Sequence, residues 1–272
     1  MPSNASGKLY VQPPYWKQPR KWIAGYLFAA PAITLIVIFS LVSIAISLYV
    51  SFFQYDVISE VRPFLGLGNY REALFQDELF WRAFKNTALY VIGVVPGITI
   101  GGFLLALAGH KVKRGRSLFR TIYFLPSITP TVAMALVWVW LYSPKGMINQ
   151  LLSQIGIRGP NWLFDVNLAM PSVIIMSIWL HVGYYTVIYL AGLSDIPQEF
   201  YDAARVDGAN WWQEIWYVTL PLLRNVTLFV TVTLGIAAFQ VFAQVYIMTR
   251  GGPGDATVTM QLLIYRNGFQ YF

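Results

Sequence analysis

Residues 194–223 read SDIPQEFYDAARVDGANWWQEIWYVTLPLL, a long polar interruption late in an otherwise apolar chain. The pattern predicts two short helices broken at a glycine. Asp195, with Pro197 in the first turn and Gln198 three residues on, makes a D-x-x-Q capping box. Asp207-Gly208-Ala209 then interrupts the helix, and glycine there permits backbone angles closed to other residues. Asn210 with Gln213 repeats the capping arrangement and opens a second helix, expected to end before Pro221. Phe200, Ala203 and Ala204 fall on one face of the first helix, opposite Glu199, Asp202 and Arg205. Its small residues allow another protein surface to come close.

Outward from this stretch the chain is 57% hydrophobic and only 11% charged, against roughly 25% charged residues in soluble domains. That balance points to a membrane protein. Apolar runs at 25–51, 87–108, 121–142, 169–190 and 222–248 each supply the ~20 residues that a spanning helix needs. The expected fold is therefore all-α and polytopic, with an N-terminal segment at 1–22 and a transmembrane domain at 23–272. Connecting loops fall at 52–85, 143–168 and 191–221. The first run lacks a small-residue cleavage site and continues past signal length, so it reads as a retained helix. Gly93, Gly97 and Gly101 lie four apart and stack on one helix face, a pattern for close packing. Pro96 is expected to bend that helix, and the FLPSITP stretch at 124–130 predicts a bent or locally unwound third span. The fifth run is rich in threonine and β-branched residues, which are common in buried spans.

Net charge is +7. Lys8, Lys17, Arg20 and Lys21 precede the first span, and Lys111, Lys113, Arg114, Arg116 and Arg120 follow the second with no acid among them. Such a basic run between two spans marks the cytoplasmic side, rather than a nucleic-acid patch. The 191–221 loop carries Asp195, Glu199, Asp202, Asp207 and Glu214 against Arg205 alone. Alternation of spans places it inside, with the N-terminus, and places 251–255 outside.

Enzymatic chemistry finds little to work with. There is no G-x-x-x-x-G-K-[ST] loop; after Gly251-Gly252-Pro253-Gly254 come Asp255 and Ala256 where lysine and a hydroxyl belong. ATP binding by this chain alone is not expected. Cysteine is absent and only His110 and His181 are present, so neither a disulfide nor a His/Cys zinc site is expected. Polar groups within or at the edges of spans are Asn86, His181, Tyr184, Tyr185, Gln240 and Gln244. Each is either a helix-packing bond or a group lining a pathway. Gln240 and Gln244 share a helix face.

Tyr201-Asp202-Ala203-Ala204-Arg205-Val206-Asp207-Gly208-Ala209, followed by Val218-x-Leu220-Pro221, resembles the "EAA" loop of permease subunits in bacterial ATP-binding-cassette importers. The surrounding sequence is most similar to the carbohydrate importers of the maltose and glycerol-phosphate type. The stretches at 64–70 and 80–87, Trp162-Leu163, and Thr249 to Gly254 with Thr257 resemble further features of that family. One departure is Asp202, where the family has glutamate.

The resemblance implies a type I importer permease fold in the bacterial cytoplasmic membrane. It implies a sixth span beyond the five in this chain, starting where the sequence stops at Phe272. The implied partners are a second, similar permease, two ATPase subunits that hold ATP and Mg, and an extracytoplasmic solute-binding protein. The implied substrate is a small carbohydrate, with no cofactor in this subunit. The implied ATPase-coupling residues are Tyr201, Asp202, Ala203, Ala204, Arg205, Asp207, Gly208, Ala209, Leu220 and Pro221. Importing a phosphorylated polyol or another polar solute, and acting as a non-transport scaffold, are the alternatives.

Overall fold

A computed structural model describes residues 19–54, 63–111 and 115–270. Lys8, Lys17, Lys113 and Arg114 lie outside the described residues, as do residues 55–62 of the first loop. Apart from an isolated bridge between Phe53 and Phe64, the ordered elements described are all helices. They divide into two compact units, split between Ala73 and Leu74.

In the first unit, helix α1 runs Pro19–Ile36, widens to π-type winding over Val37–Val42 and continues over Ser43–Val50. It carries no charge from Trp22 to Val50, a stretch of 29 residues and about 44 Å at the helical rise. The chain after it is fastened back onto its end. Asn69 Nδ2 donates to the carbonyls of Ser51 (2.8 Å) and Phe53 (2.9 Å), and the Tyr70 hydroxyl meets Ser51 Oγ at 2.7 Å. Helix α2, Gly68–Phe75, carries both residues.

In the second unit, α3 is Glu78–Lys111. Expected from residue 87, it begins earlier because Asp77 Oδ1 accepts the backbone N–H groups of Leu79 (2.8 Å) and Phe80 (3.1 Å), capping two of the donors that a helix start leaves free. The helix continues through Pro96 without a break. Next comes α4, Arg116–Ile128, then α5, Thr131–Leu141. The two axes turn by 108°. The bend predicted for FLPSITP is therefore a full break. Thr129 is held extended (ψ 139°) by the proline after it, and Pro130 has no N–H to continue the ladder. Helix α6, Met147–Gln154, occupies the following loop, tied down by Trp162 Nε1 donating to Asn149 Oδ1 at 2.8 Å.

Helix α7, Ala169–Ser194, is the centre of the unit, with Val173, Met176, Leu180 and Tyr189 almost wholly buried. Then come α8, Gln198–Val206, and α9, Trp211–Leu222, the latter π-wound over Glu214–Thr219. Helix α10, Arg224–Phe239, leaves α9 at 67°, followed by α11, Ala243–Met248, and α12, Met260–Phe269. Two expectations fail here. Pro221 does not end α9; the preceding turn is already widened, with Leu220 N–H bonded to Ile215 O, and the break falls at Leu223. The fifth span is also discontinuous, because residues 240–242 are non-helical.

Among the described residues three unbroken helices are long and apolar enough to cross a membrane, and the two bent pairs bring the number to at most five. The protein is thus all-α and polytopic.

The glycine row decides how α3 meets α7. A Cβ on Gly93 would sit 2.9 Å from Ile174 Cδ1, one on Gly97 2.5 Å from Ile178 Cδ1, and one on Gly101 3.2 Å from Val182 Cγ2. Glycines four apart receive side chains four apart, an i±4 ridge entering an i±4 groove. On another side of α7, a Cβ at Gly183 would run into the backbone carbonyl of Tyr123 on α4. Ile178 can turn its terminal methyl away, whereas a carbonyl in a helix cannot move alone. Gly183→Ala should therefore lower stability by about 1–3 kcal/mol, and Gly97→Ala by clearly less. Thermal unfolding of the two purified variants in detergent checks this ranking; equal midpoints would contradict it.

Candidate functional site

At two places in the second unit a cavity brings together side chains singled out from the sequence. The first is a cavity of about 560 Å³ between α3, the α4–α5 break, α7 and the α10–α11 break. His181, Tyr184, Tyr185, Gln240 and Gln244 all line it. Gln240 reaches it from the 240–242 break itself and Gln244 from α11 beyond it, so they do not share one continuous helix face as expected. Non-helical backbone at this depth is tolerated where it lines a cavity. The Val241 carbonyl left over by the break accepts from Thr259 Oγ1 at 3.1 Å.

Sequence reading missed Tyr90, Ser127, Thr131 and Phe242, which also line the cavity. Ser127 and Thr131 flank the α4–α5 break, and the two prolines were the available signal. The Ser127 hydroxyl donates to Leu180 O (2.8 Å) and accepts from Tyr184 N–H (3.1 Å). It thereby pins the α4 end beside His181. Among the described residues, no Asp, Glu, Lys or Arg lines the cavity. Hydroxyls, amides, an imidazole and aromatic faces without formal charge suit a neutral solute rich in hydroxyl groups.

Asn86 is elsewhere. Its Nδ2 donates to Asp255 O (2.9 Å) and Val258 O (3.0 Å), and Arg82 Nη1 donates to Gly254 O at 3.2 Å. These bonds clamp the start of α3 to the 249–258 turn. Inside that turn Thr249 and Thr257 hydroxyls meet at 2.7 Å, and Arg266 bonds Asp255 and the Arg250 carbonyl. Asn86 is a fastening residue, placed in the third turn of α3 where that helix meets the 249–258 turn.

The second place is the α8–α9 loop, at the other end of α3. A cavity of about 450 Å³ is lined by Leu107 and His110 of α3 together with Gln198, Tyr201, Trp211 and Glu214. The acidic loop thus shares an end with Leu107 and His110, the last turns of α3. Asp195 does not cap α8. It closes α7, its N–H bonded to carbonyls of that helix, and α8 starts after an extended Pro197 with no side-chain cap. The Asn210–Gln213 box forms as expected, with Gln213 N–H to Asn210 Oδ1 at 3.0 Å and Asn210 N–H to Gln213 Oε1 at 2.7 Å.

Gly208 stops α8. Its φ is +83°, Ala209 N–H bonds Ala204 O and Gly208 N–H bonds Arg205 O, the paired bonds of a Schellman motif. Tyr201 and Ala204 face inward and half-buried, while Phe200, Asp202, Ala203, Val206 and Asp207 are exposed. The apolar face expected for Phe200, Ala203 and Ala204 is therefore split along its edge. Arg205 Nε donates to Glu214 Oε1 at 2.7 Å, and that hydrogen bond raises the guanidinium pKa further. Leu220 and Pro221 lie in the last turn of α9.

The family model of binding-protein-dependent transport system inner membrane components matches residues 97–272. The lactose transport system permease protein LacF of Rhizobium radiobacter is 37% identical over 254 residues, covering 92% of this chain and 84% of its own. The probable ABC transporter permease protein YurN of Bacillus subtilis is 36% identical, covering 91% and 86%. The trehalose/maltose transport system permease protein MalF of Thermococcus litoralis is 32% identical, covering 89% and 82%. A chain in the crystal structure of a bacterial alginate ABC transporter, in complex with alginate pentasaccharide-bound periplasmic protein, superposes with a TM-score of 0.78 at 28% identity. That match covers 94% of this chain and 86% of the other.

Asn86→Ala should loosen the 249–258 turn at a cost of about 2 kcal/mol, because two carbonyls lose their donor. Amide hydrogen exchange in that turn should rise while the 198–214 loop is unchanged. Unaltered exchange across 249–258 would remove the clamp.

Proposed function

This chain belongs to the family of binding-protein-dependent transport system inner membrane components, and from that premise we propose that it forms half of the pathway for ATP-driven uptake of a sugar or oligosaccharide. The observation that carries the substrate class is the cavity that brings His181, Tyr184, Tyr185, Gln240 and Gln244 together, with no formal charge among the described residues that line it. The sugar-transport names of its relatives support the same class. A phosphorylated polyol would call for a lysine or arginine in the cavity, so this alternative is less well supported. A second permease subunit completes the pathway, a solute-binding protein delivers the sugar, and two ATPase subunits hold ATP and Mg.

On this reading the α8–α9 loop docks on the ATPase. Its exposed edge combines a small residue, Ala203, with Phe200, Val206 and the carboxylate of Asp202, suited to entering a groove with a basic or hydrogen-bonding partner. The loop lies at the end of α3 after which the sequence turns basic, which supports a cytoplasmic position for it. The N-terminus is then cytoplasmic too, and the 249–258 turn extracytoplasmic. ATP-driven closure of the ATPase pair brings two such loops together and shifts the permeases between inward and outward opening.

Two experiments test the reading. Asp202→Ala should weaken ATPase binding by about 2–5 kcal/mol, as for a desolvated interfacial charge, and Gly208→Val should do so by refusing the +83° φ that a β-branched residue rarely adopts. Co-purification of the ATPase is the measurement, and full retention in both variants would remove the docking assignment. His181→Ala and Gln240→Ala should each raise the half-saturating sugar concentration about fivefold, for one hydrogen bond lost. Substrate-stimulated ATP hydrolysis with the cognate binding protein, across a panel of neutral and phosphorylated sugars, is the readout. Stimulation by phosphorylated sugars alone would transfer the assignment to the polyol-phosphate class.

A further inference from the structure

The Arg205 guanidinium bridges two carboxylates: at the exposed edge of α8 its Nη1 lies 3.5 Å from Asp202 Oδ1, and its other end turns to α9. Its Nε donates to Glu214 Oε1 at 2.7 Å, and the Glu214 side chain is only 11% exposed. One turn earlier on α8 the Tyr201 hydroxyl meets Thr219 Oγ1 at 3.1 Å, and Thr219 is buried. Two inward contacts, four residues apart on α8, therefore engage two residues five apart on α9. On an ordinary α-helix, residues five apart point about 140° away from one another. The segment between them, Glu214–Thr219, is the π-wound part of α9, and the wider i→i+5 winding turns both towards one side. Thr219 Oγ1 also donates to Glu214 O at 3.2 Å, which holds the widened turn.

At Leu223 the chain turns by 67° into α10, whose far end supplies Leu234, Ala237, Ala238 and Gln240 to the first cavity. We propose that Arg205–Glu214 and Tyr201–Thr219 together form a strap that transmits movement of α8 through the π-wound turn and α10 to the cavity. This rests on the reading of α8 as the ATPase-docking element, and gives Glu214 and Thr219 a positioning role apart from the docking face. An isolated surface ion pair contributes little. Here the carboxylate is nearly buried, and without Arg205 it would be left covered with no cation beside it.

The strap is tested without knowing the sugar. The chain has no cysteine, so Ala237→Cys gives it a single reporter in the cavity wall, read in the assembled complex against the complex without this substitution. Its labelling by a small maleimide is followed with and without ATP plus vanadate. In Glu214→Gln with Thr219→Val the ATPase should still co-purify and hydrolyse ATP, while the ATP-dependent change in labelling shrinks about tenfold, within the usual range of coupling between sites. Reversing the pair, Arg205→Glu with Glu214→Arg, should restore part of the response, which a general loosening of the loop would not do. An undiminished ATP response in the double variant overturns the strap and leaves the docking reading intact. Loss of the ATPase from that variant also overturns it, since the pair would then be shaping the docking face. Retention of the ATPase by Asp202→Ala bears on docking alone.

Discussion

The contact on which the second unit depends is the meeting of α3 with α7 along Gly93, Gly97 and Gly101. Without a Cβ at these positions, Ile174, Ile178 and Val182 enter the groove of α3. Between membrane helices there is no water to expel, so association rests on close packing and on satisfied polar groups. The seam supplies the packing and fixes α7 along its length. Gly183 repeats the device against α4, and the Ser127 hydroxyl fastens that second contact at Leu180 and Tyr184. With α7 held by both neighbours, its His181, Tyr184 and Tyr185 are presented to the space between.

That space exists because two helices break beside it. A backbone break inside a membrane exposes N–H and C=O groups that lipid cannot satisfy, so it is tolerated only at a cavity or against protein. Thr129-Pro130 breaks one helix and residues 240–242 another, and side chains from both breaks line the same 560 Å³. Cavity and breaks are thus consequences of each other. The end where α3 starts is closed by a turn whose bonds run to Asn86 and Arg82. The opposite end carries α8, whose outward side is left exposed by the Schellman stop at Gly208.

Much of this was legible from local chemistry. The five apolar runs, the broken third span, the Asn210–Gln213 box and the special angle at Gly208 follow from residue type and spacing, because each is decided within a few neighbouring residues. Asp77 as the cap of α3 was equally local and was overlooked. The failures have a common cause. Asp195 has the spacing of an N-cap, but α7 runs on to Ser194 because Tyr189, Leu190 and Leu193 are buried against the core, and the aspartate is taken up in closing that helix. Pro221 has the chemistry of a terminator, but the π-wound turn before it had already released the hydrogen bond it would have broken.

By itself, then, the sequence determined that the chain is all-α and membrane-spanning, where its helices begin to fail, and which loop carries the exposed acid and the glycine stop. Tertiary structure alone decided which polar residues meet. Asn86 and Gln240 are alike on paper, each an amide near an apolar run. One faces the carbonyls of a distant turn and the other a shared cavity, because helix pairing rather than spacing sets the direction each points. The same holds for Arg205, which spacing places beside Asp202, at 3.5 Å, and which only the packing of α8 on α9 also brings to Glu214, at 2.7 Å.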